Sequence, residues 1–293
     1  MFVMPFILWL LILVQPQSAR PLERDIVPEE FIKARPVKPG ADRRKRAVYR
    51  GVNPKPSGKS RSTQATHLGL TIWRLRRATA AEVGERIIVQ EESEIVEWIP
   101  ERVKAGAPLR IGEKIRLSFE SRQAGYLYVI NREQYADGSL GEPLLIFPTT
   151  RTRNGDNQVV AGRLIEIPAQ DDRPNFFTMR RGRMDQTGEQ LIALITPQPL
   201  PDIAIGATSL KLSEDVVRRW EQSWGPEVAT FEMAPSGVRT WTKVEREAGA
   251  DTTRRLTQDD PAPQTIFRIA AGQDEPRLIK LSLHYVTPQQ RYK

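Results

Sequence analysis

The chain has 293 residues, no cysteine, 44 Lys and Arg against 36 Asp and Glu, and a formal net charge of +8. Without a thiol there is no disulfide, lipidated cysteine, thiolate zinc site or cysteine nucleophile, which excludes a disulfide-stapled scaffold and thiol redox chemistry. Packing alone must hold the fold, and the charge excess must be located before it is given a meaning.

The first residues, Phe2 to Val14, form an almost unbroken apolar run followed by Gln15-Pro16-Gln17-Ser18-Ala19. This length matches the core of a secretory signal and falls short of a bilayer span, so cleavage after Ala19 is expected, leaving no transmembrane span in the mature chain. No Lys or Arg precedes the run and Gln17 stands where a small residue is usual, which keeps an uncleaved membrane anchor as the rival. With no cysteine, the signal points to a secreted or periplasmic protein of a bacterial envelope.

The charge sits in the next segment. Between Lys33 and Arg61 there are eleven Lys and Arg against one acid, Asp42, while the rest of the chain carries a net −2. Pro36, Pro39, Pro54 and Pro56 fall in the same stretch with few large apolar side chains, so residues 20–66 read as a disordered basic linker. Arg43, Arg44, Lys45 and Arg46 form a cluster that suits contact with an anionic surface, against the plainer reading of a solvated tether. No aromatic residue falls within this cluster, which argues against nucleic acid. Gly58-Lys59-Ser60 resembles the end of a phosphate-binding loop, but Asn53 stands where the motif needs glycine, and neither strand nor helix flanks it.

From His67 apolar and polar residues alternate at the period of a half-buried strand. Ile115, Leu117 and Phe119 face one way while Lys114, Arg116 and Ser118 face the other. Gly125 to Ile130 is apolar on both faces, as in a strand covered on each side. Further strands are expected at Leu68 to Leu75, Arg86 to Gln90, Leu144 to Phe147, Arg163 to Ile167, Phe176 to Met179, Gln190 to Ile195 and Leu278 to Val286. Pro148, Pro168 and Pro197 each close an apolar run, and Asp137-Gly138, Asn154-Gly155 and Gly188 supply turns. A helix is expected over Glu214 to Trp224, with Ser213 as N-cap, Gly225-Pro226 as stop, and Val217, Trp220 and Trp224 on one face. A shorter helix from Lys243 to Ala248 opens with a Thr242-x-x-Glu245 capping box and ends at Gly249. The reading is a mainly β, antiparallel β-sandwich with one or two peripheral helices. Residues 67–200 form the sandwich, and 201–293 a C-terminal extension with helix 214–224 and a closing strand at 278–286.

Five segments carry a resemblance: Pro-Leu-Arg-Ile-Gly-Glu-Lys-Ile-Arg-Leu (108–117), Gly-Tyr-Leu-Tyr-Val-Ile (125–130), Leu-Ile-Phe-Pro (145–148), Gly-Arg (162–163) and Ile-Pro-Ala (167–169). Over roughly residues 67 to 200 the chain resembles the bacterial domain-of-unknown-function family 4384. That resemblance implies an accessory or interaction module, since such domains occur in exported proteins or beside kinase-like and caspase-like catalytic domains. It transfers no catalytic residue and no cofactor. The Tyr135-to-Pro143 insertion and the region beyond Pro201 depart from the family pattern.

The residues themselves supply little catalytic machinery. The two histidines, His67 and His284, lie near opposite ends of the body and have no motif around them, so neither a Ser-His-Asp site nor a histidine metal site is assembled. Carboxylates remain at Glu133, Asp137, Asp156, Asp171, Asp172, Asp259 and Asp260. Two of these could serve a hydrolase, or Asn131, Glu133 and Asp137 could hold calcium, but such acids are also ordinary turn residues. Paired acids in one cleft would favour the hydrolase, and scattered ones a binding module. The preferred binding surface is the loop carrying Arg151, Arg153, Asn154 and Asn157, suited to an anionic ligand or an envelope partner. The expected function is a non-catalytic binding module without cofactor or metal; the alternatives are an envelope hydrolase using paired loop carboxylates, and a structural envelope protein held by its basic tail.

Overall fold

In the computed structural model, residues 29–38, 65–79, 84–91, 94–225, 228–233, 239–272 and 274–286 are described. The long strand β1 (Ala65–Arg77) organises the first sheet. One of its edges pairs β13 (Thr265–Ala270) through residues 65–70 and then β3 (Glu94–Val103) through 72–77, while the other pairs β4 (Lys114–Ser121). Outward from these lie β2 (Ile87–Glu91) on β3, β12 (Val228–Glu232) on β13, and β8 (Leu164–Ile167) and β9 (Phe177–Thr178) on β4. In the second sheet β11 (Leu210–Lys211), β6 (Leu144–Phe147), β5 (Gly125–Tyr135), β10 (Gln186–Thr196) and β14 (Arg277–His284) follow in that order, and β7 (Gln158–Val159) pairs the start of β5. Every strand pairing is antiparallel, so the fold is the mainly β antiparallel arrangement that the period-two pattern calls for.

Period-two alternation also fixes the core. Leu68, Leu70 and Ile72 of β1 and Ile115, Leu117 and Phe119 of β4 meet Leu127 and Val129 of β5, Leu191, Ala193 and Ile195 of β10, and Ile279, Leu281 and Leu283 of β14. Each fully buried aliphatic side chain contributes about 1.5–3 kcal/mol relative to exposure. The outer face of the second sheet is covered as well. Tyr128, Ile130, Ile192 and Leu194 pack under α2 (Glu214–Trp224) through its fully buried Val217. The helix's Trp220 and Trp224 stack with ring centroids 5.7 Å apart and are half-buried against this layer. Ser213 takes the N-cap position in extended conformation but makes no side-chain cap bond, and Glu214 instead pairs with Arg132 at 2.7 Å.

The outer face of the first sheet departs from expectation. Arg116 and Ser118 do point away from the core, yet they are buried, because residues 239–263 cover them, with Arg116 5.9 Å from the Trp241 ring, while residues 29–38 cover the neighbouring Glu120. Arg116 Nη2 donates to Glu166 at 2.8 Å, and both side chains are 1 % exposed. Arg35 forks onto Glu120 at 2.9 and 2.6 Å, also 1 % exposed on both sides, and Arg102 Nε donates to Glu245 at 3.0 Å. Trp73 lies within this layer, donating to Ser118 Oγ at 2.8 Å, with Arg102 5.2 Å from its ring centre. Such ions persist out of water only because each is paired and hydrogen-bonded.

Two boundaries change accordingly. Residues 29–38 fall inside the segment read as a disordered linker, but they form a short helix at 29–33 (α1) and an extended strap, anchored by the fully buried Phe31 and by Arg35. Arg43, Arg44, Lys45 and Arg46 and the apolar run at 2–14 lie outside the described residues. Among the described residues no helix is long and apolar enough to cross a membrane. Residues 201–293, read as an extension, complete both sheets: β13 pairs β1, and β14 pairs β10. The second expected helix is α3 (Lys243–Ala250), and its Thr242–Glu245 capping box is formed. It runs through Gly249 rather than ending there, because a bare Cα at that position lets the helix sit on the Glu166 carboxylate.

Candidate functional site

At one end of the sandwich the inner faces stop being apolar. Along β5 the inward positions run Leu127, Val129, Asn131, Glu133 and Tyr135; along β10, read backward, Ile195, Ala193, Leu191 and Glu189; and β14 passes through Leu283 toward Tyr285. A cleft of about 690 Å³ opens there between the sheets. Its apolar lining comes from Ile115, Leu117, Leu144, Ile146, Phe177, Met179, Leu191 and Leu283, and its polar lining includes Asn131, Glu133, Tyr135, Glu142, Arg181 and Glu189. Volume and lining both fall in the range of small-molecule sites, which join an apolar interior to a few convergent polar groups.

Glu189 and Glu133 are direct partners across β10 and β5, which places their side chains on one face about 4.5–5.5 Å apart at Cβ. Glu189 is buried and accepts from Tyr285 Oη, while Glu133 is half-buried and accepts from Tyr135 Oη. Burial pushes the Glu189 carboxyl above the usual carboxylate range and Glu133 adds to this, against the Tyr285 and Asn131 side chains, which favour the ionised form. The Tyr285 phenol is raised in turn, first by burial and then by its bond to Glu189. Asn131 Oδ1 and Arg181 Nε are buried without a hydrogen-bond partner. Gly182 lies against Glu133 so closely that a Cβ there would meet the carboxylate.

The residues expected to bind are distributed otherwise. Arg153, Asn154 and Gly155 form a 3-10 turn with φ of 52, 52 and 81°, the left-handed region. An arginine there costs about 1–2 kcal/mol. Asp172 holds the turn, accepting from the Arg153 amide at 2.9 Å and the Ala169 amide at 2.6 Å. The Arg153 side chain folds back toward Asp156 at 3.6 Å, and Asn157 is buried, bridging to the Leu127 carbonyl at 3.1 Å. Arg151 and Asn154 alone of the four are exposed, so the set does not converge.

The loop acids are scattered in the same way. Asp137 accepts from Ser139, Asp156 from the Gln158 amide, and Asp260 from Thr257 while pairing Arg254 at 2.5 Å. Asp171 and Asp259 are exposed. Only Glu133 lines the cleft, joined by Glu142 and by Glu189, which the sequence reading passed over. Asp137 is committed to its turn rather than to Asn131 and Glu133, and among the described residues no group of three or more His, Cys, Asp or Glu is placed to hold a metal. His284 is exposed on β14; His67 packs edge-on to Phe31, its centroid 6.2 Å away, and burial lowers its pKa, with Arg122 and Arg268 adding to the effect. A signal for the cleft was present: continuing the alternation of Gly125–Ile130 to Tyr135 puts Asn131, Glu133 and Tyr135 on the core side.

Fold and cleft together define an antiparallel β-sandwich with an inter-sheet site at one end. Residues 108–199 match the family model described as Domain of unknown function (DUF4384). The match runs from the lead-in to β4 through β10, so it contains all three cleft carboxylates, Glu133, Glu142 and Glu189, while β1, β13 and β14 lie outside it. No curated protein and no solved structure gives a significant match.

Proposed function

We propose that the chain is an exported, non-catalytic binding module of the cell envelope whose ligand seat is the inter-sheet cleft. The observation that carries this reading is the cleft itself, about 690 Å³ between two otherwise well-packed sheets, with its polar groups gathered at one end. The scatter of the loop acids over turns supports binding rather than loop-carboxylate hydrolysis. Export rests on the apolar run ahead of Ser18-Ala19, and the basic cluster at Arg43 to Arg46 serves in this reading as a contact to an anionic surface. Exposed Arg151 and Asn154 offer a secondary contact to an anionic partner. The test uses the neutral fluorophore N-phenyl-1-naphthylamine. Saturable one-to-one binding that is lost in Ile146→Arg, with an unchanged melting temperature, is expected; binding indifferent to that substitution would overturn the assignment of the cleft.

A second reading rests on the cross-strand pair of Glu133 and Glu189. Two carboxyls facing one another in a cleft, one of them raised by burial, is the arrangement of an acid–base hydrolase. Turnover of chromogenic glycosides or esters that disappears in both Glu133→Gln and Glu189→Gln would support it, and no turnover above buffer would remove it.

A further inference from the structure

The cleft's own groups leave polarity of both signs unmatched. Glu133 and Glu189 accept from tyrosine hydroxyls, but neither has a cationic partner within ion-pair distance among the described residues, and Asn131 Oδ1 is buried without a donor. Arg181 lines the same cleft and has no carboxylate partner among the described residues, its Nε buried without an acceptor. Of the charges around them, Glu142 is engaged with Lys211, and Arg183 with Asp185 at 2.7 Å while it covers the Tyr135 ring at 4.0 Å; Arg180 lines the cleft as an exposed side chain. Leaving buried polar atoms unpaired is costly, a cost that a ligand supplying the missing partners removes. Beside these groups lies the apolar surface of Ile115, Leu117, Phe177 and Leu283, ready for an aliphatic or aromatic body.

We propose that the cleft takes a ligand bearing both an ammonium and an acidic group on one apolar body, the chemistry of an apolar amino acid or the free ends of a short apolar peptide. The ammonium lies against Glu133, Glu189 and Asn131, and the acid against Arg181. This rests on the cleft being a ligand seat. It goes further in requiring both charges: an apolar ligand with neither would leave the carboxylates and Arg181 as they stand.

Four probes separate the contributions by calorimetric titration into the full chain: leucyl-leucine, its C-terminal amide, its N-acetyl form, and the N-acetyl amide, which has neither charge. Each charge-assisted contact is worth about ten- to hundredfold in affinity, so leucyl-leucine should bind that much more tightly than either singly blocked form. Glu133→Gln should erase the preference over the N-acetyl form alone, and Arg181→Gln the preference over the amide alone. Both residues are half-buried, and unchanged melting curves for the two variants make the comparison valid. Free leucine in a fifth titration tells the sources apart: affinity equal to the dipeptide's points to an amino acid, and a much weaker one to a peptide. Equal affinity for all four dipeptide probes would overturn the proposal while leaving the cleft as an apolar seat. Naphthylamine binding without any peptide binding would do the same, and failure of every probe would remove both readings.

Discussion

Replacing Arg35 with alanine should cost the protein about 3–5 kcal/mol, the range for breaking one side of a buried ion pair. The magnitude follows from what is left behind. Glu120 is 1 % exposed and loses both arms of the Arg35 fork, while the Asp260 carbonyl loses a donor at 2.7 Å and the Pro261 carbonyl one at 3.2 Å. Phe31 still packs on the sheet, so water cannot reach the stranded carboxylate without the strap lifting off. Paired replacement of Arg35 and Glu120 by methionine removes both charges at similar volume and should recover most of the loss, because the stability of such a pair lies mainly in not leaving one ion alone. Urea denaturation of the chain from residue 20, followed by tryptophan fluorescence, reads both changes. A loss under about 0.5 kcal/mol for Arg35→Ala, the range of an exposed site, would refute the docking of residues 29–38 and restore the whole of 20–66 as a tether.

Other outcomes follow from single contacts. The Glu189 carboxyl has a higher pKa folded than unfolded, so the native state holds more protons in that window; stability should fall as pH rises from about 4.3 through the raised value, and Glu189→Gln should flatten this part of a denaturation series across pH. Gly188→Ala would drive a Cβ into the Leu283 carbonyl of the neighbouring strand, so β10 and β14 must separate; a loss of about 3 kcal/mol or more, or insoluble expression, is expected. Gly249→Ala meets the Glu166 carboxylate, which Arg116 at 2.8 Å and Gln170 at 3.0 Å hold in place, and should cost about 1–3 kcal/mol by the same measure. Ile88 and Ile95 stand exposed on the β2–β3 hairpin, and serine at either should change stability by no more than about 0.5 kcal/mol in the same denaturation assay.

Strands whose two faces differ chemically were legible. Ile115, Leu117 and Phe119 alternate cleanly and form part of the core, and the doubly apolar run Gly125–Ile130 is covered on both faces. Strands with a mixed pattern were not. β3 carries Glu97, Pro100, Glu101 and Arg102 among its apolar residues, so its alternation is obscured; Glu101 and Arg102 sit in ion pairs with Arg76 and Glu245 rather than in water. β12 and β13 were also missed. They lie beyond the stretch where turn signals mark a regular rhythm, and their pairing with each other and with β1 joins residues far apart in the chain.

The site divides along the same line. Arg151, Arg153, Asn154 and Asn157 stood out for their composition, but a tight left-handed turn spends Arg153 and Asn157 on its own scaffold. Glu189 carried no local mark, being one acid among many at the start of an apolar strand; its partner Glu133 lies 56 positions away and faces it only through the β5–β10 register. Local alternation of side chains was enough to establish an antiparallel β fold, its central strand and its two longer helices, because those depend on neighbours one to four residues apart. Which charges are buried and paired, which chain segment covers the first sheet, and which carboxylates share a cleft were decided by tertiary structure alone, because the partner that makes each burial tolerable comes from a distant part of the sequence.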